Sequence, residues 1–249
     1  MGKMDIYRIG IISLLLCNFL PCSLYAAQTP LTQRYIGLST GPTWYRVGQT
    51  QTVWLQPGFA NTYAAATPVQ TLARGEIFAG IQHAFTNWGI GQFGLAIAAN
   101  SSAKAQGEVW ETGDPLFNNF TYTYRVSNVS ILAKTKWFYE KLHDLYLPYV
   151  SAGVGIACTR SYGYAMNTLI FEALPISNFQ NHLVTAFTYT LGLGIHKVIT
   201  SHWQIGMGYE WSDWGQSALG NASGQTNGGT IKLNQLHTQQ LQFTFNYFI

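Results

Sequence analysis

The chain has 249 residues, of which 9% are charged, 15% aromatic and 47% hydrophobic, with 25 glycines and a formal charge of +3. Soluble domains carry roughly 25% charged residues, so an ordinary globule is excluded, and so much apolar content excludes a disordered chain. The small charge gives no basis for a nucleic-acid partner, and the one strongly apolar run, residues 9–20, is shorter than a spanning helix needs.

The first element in chain order is a leader. Lys3 and Arg8 precede the apolar run, and Pro21 with Leu24, Tyr25, Ala26 and Ala27 supplies a cleavage region. Cleavage after Ala26 is expected, making residues 1–26 a signal peptide and 27–249 one folded domain. Cys17 follows Leu16 and Cys22 follows Pro21, so neither has the small preceding residue of a lipoprotein signal. Cys158 is then left alone, with no disulfide partner and no metal-ligand spacing.

Downstream, apolar residues recur with period two, the pattern of strands with two differently solvated faces. Eight strands are predicted, near 34–46, 72–85, 89–103, 119–138, 146–162, 183–198, 202–213 and 236–249. In the third, Phe93, Leu95 and Ile97 alternate with Gln92, Gly94 and Ala96. In the last, Leu241, Phe243, Phe245, Tyr247 and Ile249 alternate with Gln240, Gln242, Thr244 and Asn246. Connections 47–71, 104–118, 163–182 and 214–235 are long, whereas 86–88, 139–145 and 199–201 are short. An even strand number, small or polar off-phase residues and alternating connection lengths predict an all-β fold, a closed antiparallel eight-stranded transmembrane β-barrel. Closure is required because hydrocarbon offers no partner to the backbone groups of an open edge. The competing fold, a secreted sandwich, needs more charge on the off-phase face. Trp44, Tyr45, Trp54, Trp88, Trp137, Trp203, Trp211 and Trp214 lie near strand ends and are expected in two aromatic girdles. Residues 215–234, rich in Gly, Asn, Ser and Thr, read as a mobile exposed loop.

Three stretches carry a family resemblance that covers essentially 28–249. Pro148-Tyr149-Val150, followed by Gly153 and Gly155, resembles a Pro-Tyr-Val-x-x-Gly-x-Gly strand, and residues 208–215 are similar to a Gly-Tyr-x-Tyr-x-Asp-x-Gly stretch. The aromatic last strand resembles an assembly signal, although it ends in Ile249 with Phe248 beside it, where Phe is usual at the end. The family is the OmpA-like and opacity-type outer-membrane proteins, often described as an outer-membrane protein β-barrel domain. The resemblance implies export to the outer membrane of a Gram-negative bacterium. It also implies outer-membrane lipid and lipopolysaccharide as surroundings, and the barrel-assembly machinery as a partner of the C-terminal strand. No peptidoglycan-binding domain follows the barrel stretch in this sequence.

Extending each strand's phase inward collects a charge network of Arg74, Glu76, Lys134, Lys136 and Glu210 in the lumen, with Gln82, His196, Gln204, Gln240 and Gln242. Unpaired charge in such an interior is costly, so ion pairs are expected. They form either a static plug or a gate over a narrow conduit; about eight strands leave an interior just filled by side chains, too narrow for a general porin. A lipid-modifying enzyme needs a serine and a histidine within reach of each other at the outer rim. Here the nearest such group, His196, Ser201 and His202, falls at a short turn of the other end, and no enzyme is expected. No phosphate loop, zinc spacing or calcium loop is present, so no cofactor or metal is expected. Apolar residues within 55–71, 110–120 and 166–179 lie in segments expected outside the membrane, where they either pack on the rim or contact a host surface or a hydrophobic ligand. The function expected is that of a structural surface protein, a surface antigen or adhesion-like barrel acting through its loops. A narrow conduit for small hydrophobic solutes, as in OmpW-like barrels of the wider porin family, is the alternative.

Overall fold

The computed structural model describes residues 32–85, 89–139, 146–171, 178–225 and 229–249. The expected leader, Trp88 and most of two short turns lie outside the described residues. Eight strands close a ring: β1 (Thr32–Arg46), β4 (Val69–Phe85), β5 (Gly89–Asn100), β7 (Asn118–Phe138), β8 (Tyr146–Thr168), β9 (His182–Val198), β10 (Trp203–Asp213) and β13 (His237–Phe248). All neighbours are antiparallel, and β1 pairs with β13 to close the sheet. Stepping through Cα partners from Tyr35 leads to Gly80, Gly94, Lys134, Gly153, Thr190, Ser212 and Thr238, and then back to β1 at Tyr45. That stagger between Tyr35 and Tyr45 is the shear that tilts the strands and fixes the barrel's width.

The two faces separate as the period-two pattern dictates. On β13, Phe243, Phe245 and Tyr247 are exposed while Gln240, Gln242, Thr244 and Asn246 are buried. Ile77, Leu95 and Val150 are likewise exposed outward, each by about 60%, and form an apolar belt. A belt of that kind around a closed ring has its solvent in hydrocarbon.

Inside, small residues stand beside large ones. Lys134 has Gly94 and Gly153 as its two register partners, and a Cβ on Gly153 would lie 2.6 Å from Lys134 Cγ. His196 faces Gly206, where a Cβ would lie 2.1 Å from the imidazole. The lumen is therefore filled by a few large side chains in space that glycines leave.

Much of the first two predicted long connections is sheet, and so is the start of the third. β2 (Gln51–Gln56) and β3 (Phe59–Ala66) form a hairpin, and β6 (Ala103–Trp110) joins β3 to the upper part of β7. β8 also runs on to Thr168 beside β7. Their alternation is visible in retrospect, with Ala103, Ala105 and Val109 buried between exposed Lys104 and Glu108. The 215–234 segment differs too, because Leu219, Ala222, Ile231 and Leu233 are buried in one core with Trp214, Tyr45 and Tyr63. There β11 (Ser217–Ala218) pairs with β12 (Lys232–Leu233). The glycine-rich composition concealed a sparse apolar set that packs into the barrel mouth. Tyr45 and Trp214 are accordingly corrected: both are 2% exposed and point inward, not into a girdle. Trp44 and Trp203 remain exposed.

Candidate functional site

The interior is layered along the barrel axis, and the layers follow from where each side chain sits on its strand. At the short-turn end, Tyr35 stacks between Phe78 and Phe248 at 5.2 and 5.3 Å. Beside them, Phe138, Tyr149 and His196 meet edge-on or tilted within 5.5 Å. At the opposite end lies the buried core that Tyr45 and Trp214 share with β2, β3, β6 and the 214–236 segment.

Between these apolar layers lies a charge cluster. Lys134 from β7 donates to both carboxylate oxygens of Glu76 on β4, at 2.8 Å each, and to Glu210 Oε2 on β10 at 2.6 Å. The three donors of an ammonium group are thus all used. Arg74, on the inward position above Glu76, lies 3.6 Å from Glu210 and 3.9 Å from Glu76 through Nη2. None of its guanidinium nitrogens has a hydrogen-bond partner among the described residues, and the guanidinium sits 5.7 Å from the Trp214 ring. The cluster has two cations and two anions, and all four residues are 3% exposed or less. Its neutral sum is what makes so deep a burial tolerable.

Of the five charged residues anticipated from phase, four meet. Lys136 does not: it is buried and inward, but it belongs to the aromatic layer, 5.3 Å from the Tyr149 ring, with no ion pair among the described residues. The glutamines point inward as anticipated at 204, 240 and 242, while Gln82 is half-buried and accepts from Gln92 at 2.9 Å. The aromatic layer and Trp214 were not anticipated. Their signal was the phase itself, since Tyr35 and Tyr45 oppose exposed Ile36 and Trp44 on β1.

The glycine motifs also acquire a mechanism. Gly153 makes room for Lys134, Gly155 for Leu132, and Gly208 for Tyr149, whose hydroxyl would lie 2.3 Å from an added Cβ. Asp213 accepts from the Gly215 N–H and lies 3.3 Å from His237, pinning the turn that aims Trp214 inward.

Chemistry of other kinds finds little here. Ser201 Oγ lies 2.9 Å from His202 Nδ1 at the short-turn end, and no carboxylate among the described residues contacts that histidine. Among the described residues no group of three or more His, Cys, Asp or Glu side chains is placed to hold a metal.

A closed ring of eight antiparallel strands, an apolar exterior, and short turns at one end against long connections at the other define an outer-membrane type of β-barrel. No family model matches the chain, and no curated protein does. Among solved structures it is similar to Neisserial surface protein A, at 9% identity over 86% of this chain and 96% of that one, with a TM-score of 0.39. It is also similar to the outer membrane protein OprG from Pseudomonas aeruginosa, at 12% identity over 87% and 96%, TM-score 0.39. A third similar structure is Ail, the attachment invasion locus protein of Yersinia pestis, at 10% identity over 87% and 99%, TM-score 0.35. The class rests on the barrel's own geometry.

Proposed function

We propose that this chain is exported by its leader and inserted in the outer membrane of a Gram-negative bacterium as a plugged, OmpA-like surface barrel that makes contacts through its extracellular extension. The observation that carries the reading is the filled lumen: an aromatic layer, a neutral charge cluster and an apolar core follow one another along the axis. A barrel filled in this way among the described residues acts through its exposed parts. At the tip of the extension Leu116 and Phe171 are 89% and 103% exposed, with Phe117, Leu169 and Ile170 beside them. Leu169 donates its N–H to the Asn119 carbonyl at 2.8 Å, which ties these two apolar segments together at the far end of β7 and β8. Exposed clusters of that kind mark contact sites.

The reading has a direct test in cells. In a Cys158→Ser background, a membrane-impermeant maleimide is expected to label Leu116→Cys on intact cells and Ser201→Cys only after permeabilisation; the reverse pattern contradicts it. Cells bearing the barrel are further expected to adhere to hexadecane droplets, and serine at positions 116, 117 and 169–171 to return adhesion to the empty-vector level. Unchanged adhesion removes the contact role from this tip.

A second reading keeps one observation in its favour. The outer half of the interior is lined by apolar groups, among them Val47, Leu72, Val126 and Leu236. A conduit for small hydrophobic solutes requires exactly this lining to part, and it predicts uptake that ceases when the core is cross-linked.

A further inference from the structure

We infer that the outward face of β6, β7 and β8, just above the apolar belt, is a binding site for a phosphorylated amphiphile of the outer leaflet, of the lipid A class. The inference rests on the outer-membrane reading above and names a lipid partner for it. Lys104 on β6 and Arg125 on β7 are direct register partners. Arg125 in turn faces Tyr162 on β8, and Arg160 occupies the next outward position down that strand, opposite Ser127. Partners across a strand pair stand about 5 Å apart and diagonal ones about 7–8 Å, so the three cations cover a patch the size of a headgroup phosphate and its neighbours.

All three are exposed, and none has an ion pair among the described residues. Three like charges kept together with no carboxylate paired to them, Glu108 standing two outward positions above Lys104, repel one another, and an anion offsets that repulsion. The Arg160 guanidinium lies 5.3 Å from the Tyr162 ring, which holds it toward the outside of the sheet. Lys104 is fixed from the other side by Gln70 of β4. That glutamine's amide donates to the Lys104 carbonyl and accepts from its N–H, replacing the backbone pairing that β4 lacks where β5 gives way to β6.

The level of the patch selects an amphiphile. Directly beneath it on the same strands lie Val129 and Ile131, and Val154 and Ile156, all about half exposed to the bilayer. Above it are the neutral Gln106 and Thr123, which are register partners on the same face. Acyl chains against the lower rows and a phosphate against the cations satisfy both at once. Among the described residues the neighbouring strands offer no second cluster of cations, since β9 presents Leu183 and Thr185 at its upper end, His237 on β13 is engaged by Asp213, and β1 contributes the single cation Arg46.

The test uses the full chain purified from membranes in detergent, with heat-modifiable gel migration as the check of folding. Retention of bisphosphorylated lipid A, of its dephosphorylated form, and of inorganic phosphate is read by native mass spectrometry. Folded wild type is expected to retain only the phosphorylated lipid. Each cation near a lipid surface contributes about 1 kcal/mol, so a single Arg125→Ser change weakens binding about fivefold and the triple change K104S/R125S/R160S about 100-fold. Arg34→Ser, at the opposite end, leaves retention unchanged. Equal retention of the dephosphorylated lipid, or full retention by the triple variant, overturns the inference. Displacement of lipid by equimolar phosphate also overturns it, in favour of a free-anion site. A wild-type chain that never shows heat-modifiable migration overturns instead the outer-membrane reading beneath it.

Discussion

Replacing Gly155 by valine is expected to abolish the folded barrel. A Cβ at this position would lie 1.9 Å from the Ile131 carbonyl oxygen and 2.9 Å from the Leu132 Cα, both backbone atoms of the neighbouring strand. No rotamer change relieves a clash with backbone, so β7 and β8 must part where they pair through Leu132 and Gly155. Overpacking a close-packed interior ordinarily costs about 1–3 kcal/mol, and here the ring must also lose ladder hydrogen bonds that hydrocarbon cannot replace. Gel migration should show only the unfolded form, while Val154→Ala, one residue away on the lipid face, folds normally. A Gly155→Val protein with wild-type migration and melting contradicts the register described for this strand pair.

The second large effect belongs to Lys134. Lys134→Met removes the donor that binds Glu76 and Glu210 and leaves two buried carboxylates facing Arg74 alone. Breaking one partner out of a buried ion cluster costs about 3–5 kcal/mol, whereas replacing the whole set by neutral groups of similar size is often nearly neutral. Urea unfolding in lipid vesicles is therefore expected to show a loss of that size for Lys134→Met. Glu76→Gln, added to the same variant, leaves Arg74 and Glu210 as a neutral pair and should restore most of it. A loss below about 1 kcal/mol for the single change would mean that the cluster does not hold the barrel together. Lys136→Met is expected to be milder, because Lys136 neutralises no carboxylate in direct contact.

The contrast between these two lysines shows what was legible in the sequence. Period two fixes which way a side chain points, and it assigned Arg74, Glu76, Lys134, Lys136 and Glu210 alike to the interior. It does not fix the level at which each stands. Level depends on inter-strand register and on the stagger from Tyr35 to Tyr45, which is a property of the closed ring rather than of any one strand. Lys134 and Lys136 share a face yet belong to different layers, one among carboxylates and the other against Tyr149. The eight strands of the ring and their order were legible for a related reason, since alternating connection lengths survive in a single chain, whereas β2, β3, β6, β11 and β12 were not. The outer core was not, because Leu219, Ile231 and Leu233 are too widely spaced among glycines and polar residues to read as a strand face. Trp214 was misplaced on the same ground: nearness to a strand end says where it is along the barrel, not which way it faces.

If the three interior layers close the lumen, the protein conducts nothing and acts through its exterior. Single-channel recording of the refolded barrel in planar bilayers, with heat-modifiable migration confirming that the inserted material is folded, tests it most directly. A closed lumen gives no conductance above the bare bilayer. Reproducible small steps, altered by Glu76→Ala or Lys134→Ala, would contradict it and make the charge cluster a gate.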